Sequence, residues 1–253
     1  MIFSNLINNA TPDIRSLSDL DAVLYDREWA RNAANFGVYY MYRDLAANEN
    51  DRQKIIAGEL RYDITIIPPK MLGMEFPKTY GHEHALIPGT QEMTYPEIYE
   101  VLEGEAYYLL QKQKIGSIED LRVIHAQQGE KCVIPPNYGH VTINASGREL
   151  KMANWVECNF KSNYSIFEAM HGAGYYATSS DPAPSIDSSI NWIKNENYRD
   201  VPELKIYRAK NFDEFLRQFK IDPDEPMYNL VNKLEKLDFL KNPQKYNWNI
   251  IGI

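Results

Sequence analysis

From position 38 to 156, apolar and polar residues alternate in short runs divided by turn-forming residues. Val38-Tyr39-Tyr40-Met41-Tyr42 is aromatic and β-favouring, and Leu60-Arg61-Tyr62-Asp63-Ile64-Thr65-Ile66-Ile67 ends at Pro68-Pro69. Further short strands are expected over 81–85, 97–102, 106–111, 121–125, 131–134, 140–144 and 150–156. Many short strands with turn signals between them predict an all-β core, a sandwich or jelly-roll barrel, over 38–180. The flanks read differently. Residues 1–37 form an irregular arm with a short helix ending near Gly37, and 48–53 is a polar loop. Residues 181–253 form a C-terminal extension that opens with a loop over 181–189. Asn211 and Glu214 mark a helix start, and Met227, Leu230, Val231, Leu234, Leu237 and Leu240 keep helical spacing after Pro226. That stripe is expected to pack on the barrel or on a second subunit.

Composition narrows the classes. The chain has 253 residues, 44% of them hydrophobic, enough for one large domain with extensions. A net charge of −8 argues against a general nucleic-acid binder. Nothing resembles a membrane span, and the first residues lack a charged segment followed by an apolar run, so a cytoplasmic location is expected. Cys132 and Cys158 are too few for a disulfide scaffold, and Cys132 is expected to pack as a small apolar residue.

The candidate chemistry sits in the alternating region. Only five histidines occur, yet His82 and His84 are one residue apart. On a strand they share a face, with Glu83 on the other; Glu97 and Tyr99 share a face in the same way. His140 follows the turn in GEKCVIPPNYGHVTIN. Two hairpins facing each other would bring His82, His84, Glu97 and His140 together. Three imidazoles and a carboxylate suit a divalent transition metal with open positions for water or substrate; zinc, iron, manganese and nickel all tolerate that set. His125 and His171 have no such partners and read as ordinary polar residues.

These residues resemble the cupin superfamily. The pattern HxH, spacer, Glu, six residues, Gly is matched by His82, His84, Glu97 and Gly104. The second pattern is matched by Gly129, Pro135, His140 and Asn144. There are three departures. Phe76 stands where glycine usually opens the first motif. Asn137 replaces a glycine, although asparagine tolerates the left-handed conformation. The spacer from His84 to Glu97 holds twelve residues, longer than usual. The stretches TIIPPKMLGMEFPKTYGHEHA, PEIYEVLEGEAYYLLQ and IPPNYGHVTIN are similar, more narrowly, to the cupin-type glucose-6-phosphate isomerases, over roughly residues 14–205.

That resemblance implies a metal-dependent aldose–ketose isomerase acting on glucose 6-phosphate and fructose 6-phosphate. It implies one divalent ion per subunit, Fe2+ ahead of Mn2+, Ni2+ and Zn2+, and Glu97 as catalytic residue beside its role as ligand. The phosphate positions of the family match Thr65, Thr79 and Gly81, which offer hydroxyls and a backbone N–H. Tyr99, Tyr39 and Tyr164 match its substrate tyrosines. A nearby family histidine aligns with Ser162, for which His171 is the alternative. A sugar-phosphate substrate and a homodimer are the expected partners, without nucleic acid or membrane. The rival readings are another metal cupin acting on a sugar phosphate, a cupin dioxygenase, or a non-catalytic sugar-binding cupin. The Thr-x-Gly ahead of the histidines speaks against the dioxygenase.

Overall fold

The computed structural model describes residues 6–8, 10–90, 92–114, 116–159, 161–181 and 189–248. Most of the loop expected at 181–189 therefore lies outside the described residues. The strands are β1 (Asp13–Ser16), β2 (Gly37–Tyr42), β3 (Leu60–Ile67), β4 (Glu83–His84), β5 (Glu97–Glu103), β6 (Glu105–Lys114) and β7 (Ser117–Gln127). They continue as β8 (Lys131–Ile134), β9 (Gly139–Ile143), β10 (Leu150–Glu157), β11 (Ser162–Asn163), β12 (Tyr175–Thr178), β13 (Asn191–Lys194) and β14 (Lys205–Arg208).

Two large sheets result, in the orders β1-β2-β3-β10-β5-β8 and β14-β7-β6-β9. The fold is β-rich, with two large sheets and C-terminal helical segments. Among the described residues the strands pair within separate sheets, not around a closed barrel. Single bridges, His82 with His140 and Lys78 with Ile143, attach the segment before β4 to β9. One core lies between the sheets, where Tyr99, Val101 and Met152 of the first meet Tyr108, Leu109 and Val141 of the second. Cys132 is buried in it.

The six-stranded sheet has two unlike faces because its strands alternate. Tyr62, Ile64, Ala153, Trp155 and Ile98 point outward into a second core. Arg61, Asp63 and Thr65 on β3, Asn154 on β10, and Glu97 and Tyr99 on β5 point inward. Pairing of Asn154 with both Asp63 and Tyr99 aligns these inward residues in rows.

The C-terminal stripe covers the outward face. Met227, Leu230, Val231, Leu237 and Leu240 are buried against it. The segment is not one α-helix but two 3-10 turns, Met227–Asn232 and Leu234–Leu240. Lys233 breaks it with a non-helical backbone, φ −147° and ψ 44°, and 3-10 turns tolerate short runs only. Trp155 Nε1 donates to the Met227 carbonyl at 3.0 Å, and the Tyr62 ring sits between Trp155 and Tyr228. The stripe's apolar face thus has its partner within this chain.

Two flanking segments are more regular than their sequence suggests. Within 1–37, β1 pairs with β2, and Ser16 and Asp19 cap a 3-10 turn at Leu17–Val23 whose Leu17, Leu20 and Val23 are buried. Helix α1 (Arg27–Asn32) follows. The stretch read as a polar loop lies largely in helix α2 (Glu49–Ala57), which Asn48 caps by accepting from the Asp51 N–H at 2.9 Å. Only Asp51 and Ile55 of that helix are buried, so its sequence carries little periodic signal. Helix α3 (Ser165–Ala169) follows Tyr164, and α4 (Asp213–Gln218) begins close to the expected start, but Asn211 does not cap it: Asn211 Oδ1 accepts from the Arg208 N–H at 3.0 Å and closes a 3-10 turn at Ala209–Phe212 instead.

Candidate metal centre

His82, His84, Glu97 and His140 converge: one ligand atom from each lies within 4.8 Å of the others. The pairing of strands explains it. The His82–His140 bridge joins the first motif to β9, and His84 opens from β4 toward β5. Glu97 Oε2 lies 3.2 Å from His84 Nε2 and 3.5 Å from His140 Nε2. His84 Nδ1 donates to the Tyr95 carbonyl at 2.7 Å, which leaves Nε2 as the lone-pair nitrogen facing the carboxylate.

One polar atom tests whether a cation fits. Glu97 Oε2 is buried without a hydrogen-bond partner. A buried carboxylate oxygen facing imidazole nitrogens calls for positive charge between them. His82 and His140 are held neutral: burial first, then the neighbouring histidines, lowers both well below the ordinary imidazole value. Neutral imidazole is the form that binds metal. The group can therefore hold one metal ion.

The other oxygen of Glu97 is fixed from the neighbouring strand. Asn154 Nδ2 donates to Oε1 at 2.6 Å, so the carboxylate plane is set. Tyr99 places its hydroxyl 3.3 Å from His140 Nε2. Burial, then the charge of Glu97, holds that phenol protonated well above its usual range.

A cavity opens over this group. His82, Glu97 and His140 line it together with Tyr39, Thr65, Thr79, Gly81, Tyr99 and Tyr164, so every expected substrate residue faces one space. Thr79 Oγ1 accepts from the Thr142 N–H at 2.9 Å, which leaves its own hydrogen to give. Gly81 has φ +89°, and a Cβ there would stand 2.6 Å from Val141 Cγ2 and 2.7 Å from Phe167 Cδ1; only glycine suits the position. Ser162 lines the cavity, whereas His171 does not; its Nδ1 reaches the Ala22 carbonyl at 3.1 Å. His125 is elsewhere, bonded to Glu105 at 2.6 Å and stacked on Tyr107.

Sequence reasoning missed Arg43, Arg61, Asp63 and Asn154, which also line the cavity. Arg61 Nε donates to Asp63 at 2.8 Å, and Arg43 reaches Asp63 at 3.4 Å and Asp13 at 3.0 Å. Burial raises the Asp63 carboxyl, and the two guanidinium groups oppose that rise. The signal was the period-two row Arg61, Asp63, Thr65, legible as one face once Thr65 is placed.

Fold and site define a β-rich, two-sheet class with a three-histidine, one-glutamate group beside its cavity. The sequence model of the family described as Glucose-6-phosphate isomerase (GPI) matches residues 14–189, and the chain belongs to that family. The glucose-6-phosphate isomerase of Thermococcus litoralis is 28% identical over 145 residues, 57% of this chain and 69% of the relative. That of Thermococcus gammatolerans is 30% identical over 146 residues, 57% of this chain and 68% of the relative. Likeness to solved structures is slight. A Momordica charantia 7S globulin superposes with a TM-score of 0.34 at 13% identity over 49% of this chain and 32% of that one, too little to bear on function. No helix among the described residues is long and apolar enough to cross a membrane.

Proposed function

We propose that this chain interconverts glucose 6-phosphate and fructose 6-phosphate, with His82, His84, Glu97 and His140 holding one divalent ion, Fe2+ before Mn2+, Ni2+ or Zn2+. One observation carries the reading: the four ligand candidates converge, and three of them, His82, Glu97 and His140, line one cavity with all six substrate candidates inside the family-matched region. A bound cation supplies Lewis-acid stabilisation of negative charge on the sugar oxygens.

The chain's residues do the rest. Glu97 takes the C2 proton of the aldose and returns it to C1, while the O2 hydroxyl proton passes to O1, so that the carbonyl moves to C2. Asn154 holds Oε1, so Oε2 keeps one orientation while the proton moves. Tyr99, kept protonated, gives a hydrogen bond to charge developing on oxygen. Thr65, Thr79 and the Gly81 N–H receive the phosphate, with Tyr39 and Tyr164 closing on it. Arg43 and Arg61 supply cationic groups at the same cavity, favourable for a dianion on a chain of net charge −8. The homodimer rests on family likeness, because the C-terminal stripe is satisfied internally; light scattering at micromolar concentration reads it, and a monomer refutes it.

The deciding experiment measures fructose 6-phosphate turnover on metal-stripped and metal-reloaded protein, beside free fructose. Activity that disappears with the metal, returns on reloading and strongly prefers the phosphorylated sugar supports the reading. Remote phosphate contacts provide binding energy used at the reacting centre, so equal turnover of the two sugars refutes it.

A further inference from the structure

Two departures from the cupin pattern meet in space. The long spacer contributes Thr94, three residues ahead of Glu97, and the second motif contributes Asn137 in place of glycine, three residues ahead of His140. The Thr94 N–H donates to Asn137 Oδ1 at 3.0 Å, and the Asn137 N–H donates to Thr94 Oγ1 at 2.6 Å. A glycine at 137 would offer no side-chain acceptor. Asn137 takes the left-handed φ of +67° that the turn requires and adds the acceptor.

The junction they fix leads to the metal group. Tyr95 follows Thr94; its N–H donates to the Ala85 carbonyl at 3.3 Å, and its carbonyl receives His84 Nδ1–H at 2.7 Å. Pro96 and Glu97 come next. The rest of the spacer is tied at its base, where the Ile87 N–H donates to the Met93 carbonyl at 2.8 Å and Thr90 Oγ1 to the Ile87 carbonyl at 2.8 Å. The inserted loop therefore enters Glu97 from a pinned position, and the pin is the Thr94–Asn137 pair.

We propose that Thr94 and Asn137 are positioning residues: their paired hydrogen bonds hold the Tyr95 carbonyl against His84 and so set the orientation of that ligand and the entry to Glu97. The proposal rests on the reading of His84 as a ligand. Partners of ligating histidines commonly change metal affinity by roughly 10–100-fold, and an element one residue further out belongs at the lower end of that span.

The test is metal affinity, by competition with a chromophoric chelator on the full chain stripped and titrated with Fe2+ or Mn2+. Four variants are compared: His84→Ala, Asn137→Gly, Thr94→Val and Thr94→Ser. Asn137→Gly keeps the turn, and near-UV circular dichroism checks its fold. The expected result is a large loss for His84→Ala, a loss of about tenfold for Asn137→Gly and Thr94→Val, and near wild-type affinity for Thr94→Ser, which keeps the hydroxyl. If Thr94→Val does not fold, Asn137→Gly against wild type decides. Unchanged affinity in Asn137→Gly beside a clear loss in His84→Ala overturns the positioning role and leaves the metal reading standing. Unchanged affinity in His84→Ala overturns both.

Discussion

The two faces of the six-stranded sheet are made by the same strands and do opposite work. On β3, Tyr62, Ile64 and Ile66 are sealed under the C-terminal turns, while Arg61, Asp63 and Thr65 face the cavity. On β10, Trp155 faces outward and Asn154 inward. The outward face is apolar and, apart from the Tyr62 hydroxyl, pairs polar atoms that it buries: Met227 N–H donates to Glu100 Oε2 at 2.9 Å, and Lys131 Nζ to the Pro223 carbonyl at 2.8 Å. The inward face keeps Glu97 Oε2 buried and without a hydrogen-bond partner, at an energetic cost. Stability comes from one face and chemistry is stored on the other. Changes on the two faces should therefore separate folding from activity.

The largest effect is expected inside. Glu97→Gln keeps the size and one oxygen donor but removes the base, so activity should fall by about 10²–10⁴-fold, with metal content largely kept by elemental analysis. Activity that falls only with lost metal, and recovers in excess metal, would make Glu97 a ligand alone. Solvent deuterium entering C2 of new glucose 6-phosphate would add support for a proton route through Glu97.

Next comes the outward face. Trp155→Ala removes a fully buried ring and should cost about 3–5 kcal/mol in denaturant unfolding, while the folded fraction keeps its affinity for fructose 6-phosphate. An equal collapse of substrate affinity would show that the faces are not independent.

The cavity rim sits below that. Arg43→Gln should raise KM for the phosphorylated sugar by roughly 10-fold, the low end for a hydrogen bond to a charged group, and leave kcat near wild type, with some loss of thermal stability because buried Asp63 loses one of its two guanidinium partners. A change confined to kcat would move Arg43 from binding to the reacting centre. Smallest of all is the outer rim. Lys54 Nζ donates to Asn232 at 2.6 Å and lies 3.7 Å from Asp51. Its exposure limits Lys54→Ala to under about 1 kcal/mol, with no kinetic effect.

The candidate ligands were readable because strand geometry is local. A period of two puts His82 beside His84 and Glu97 beside Tyr99 whatever the rest of the chain does. Thr65, Thr79 and Gly81 were singled out through family likeness and line the cavity, and the packing around Gly81 supplies the reason for that glycine. Helix α2 and the broken C-terminal turns were not readable. The first is polar on most sides, and the second has the same i, i+3 spacing whether the helix is α or 3-10.

The sequence by itself therefore determined the alternation, the acid and histidines that share faces, and the apolar stripe that had to be covered. Only the tertiary structure decided what covers the stripe, and that β10 runs between β3 and β5 so that Asn154 reaches Glu97 across 57 positions of chain. It also decided that Thr94 meets Asn137 and that Arg43 and Arg61 share a cavity with His82. The reason is physical. Side-chain direction follows from backbone geometry within a few residues, whereas the neighbour of a strand depends on burying two faces at once, a property of the whole chain.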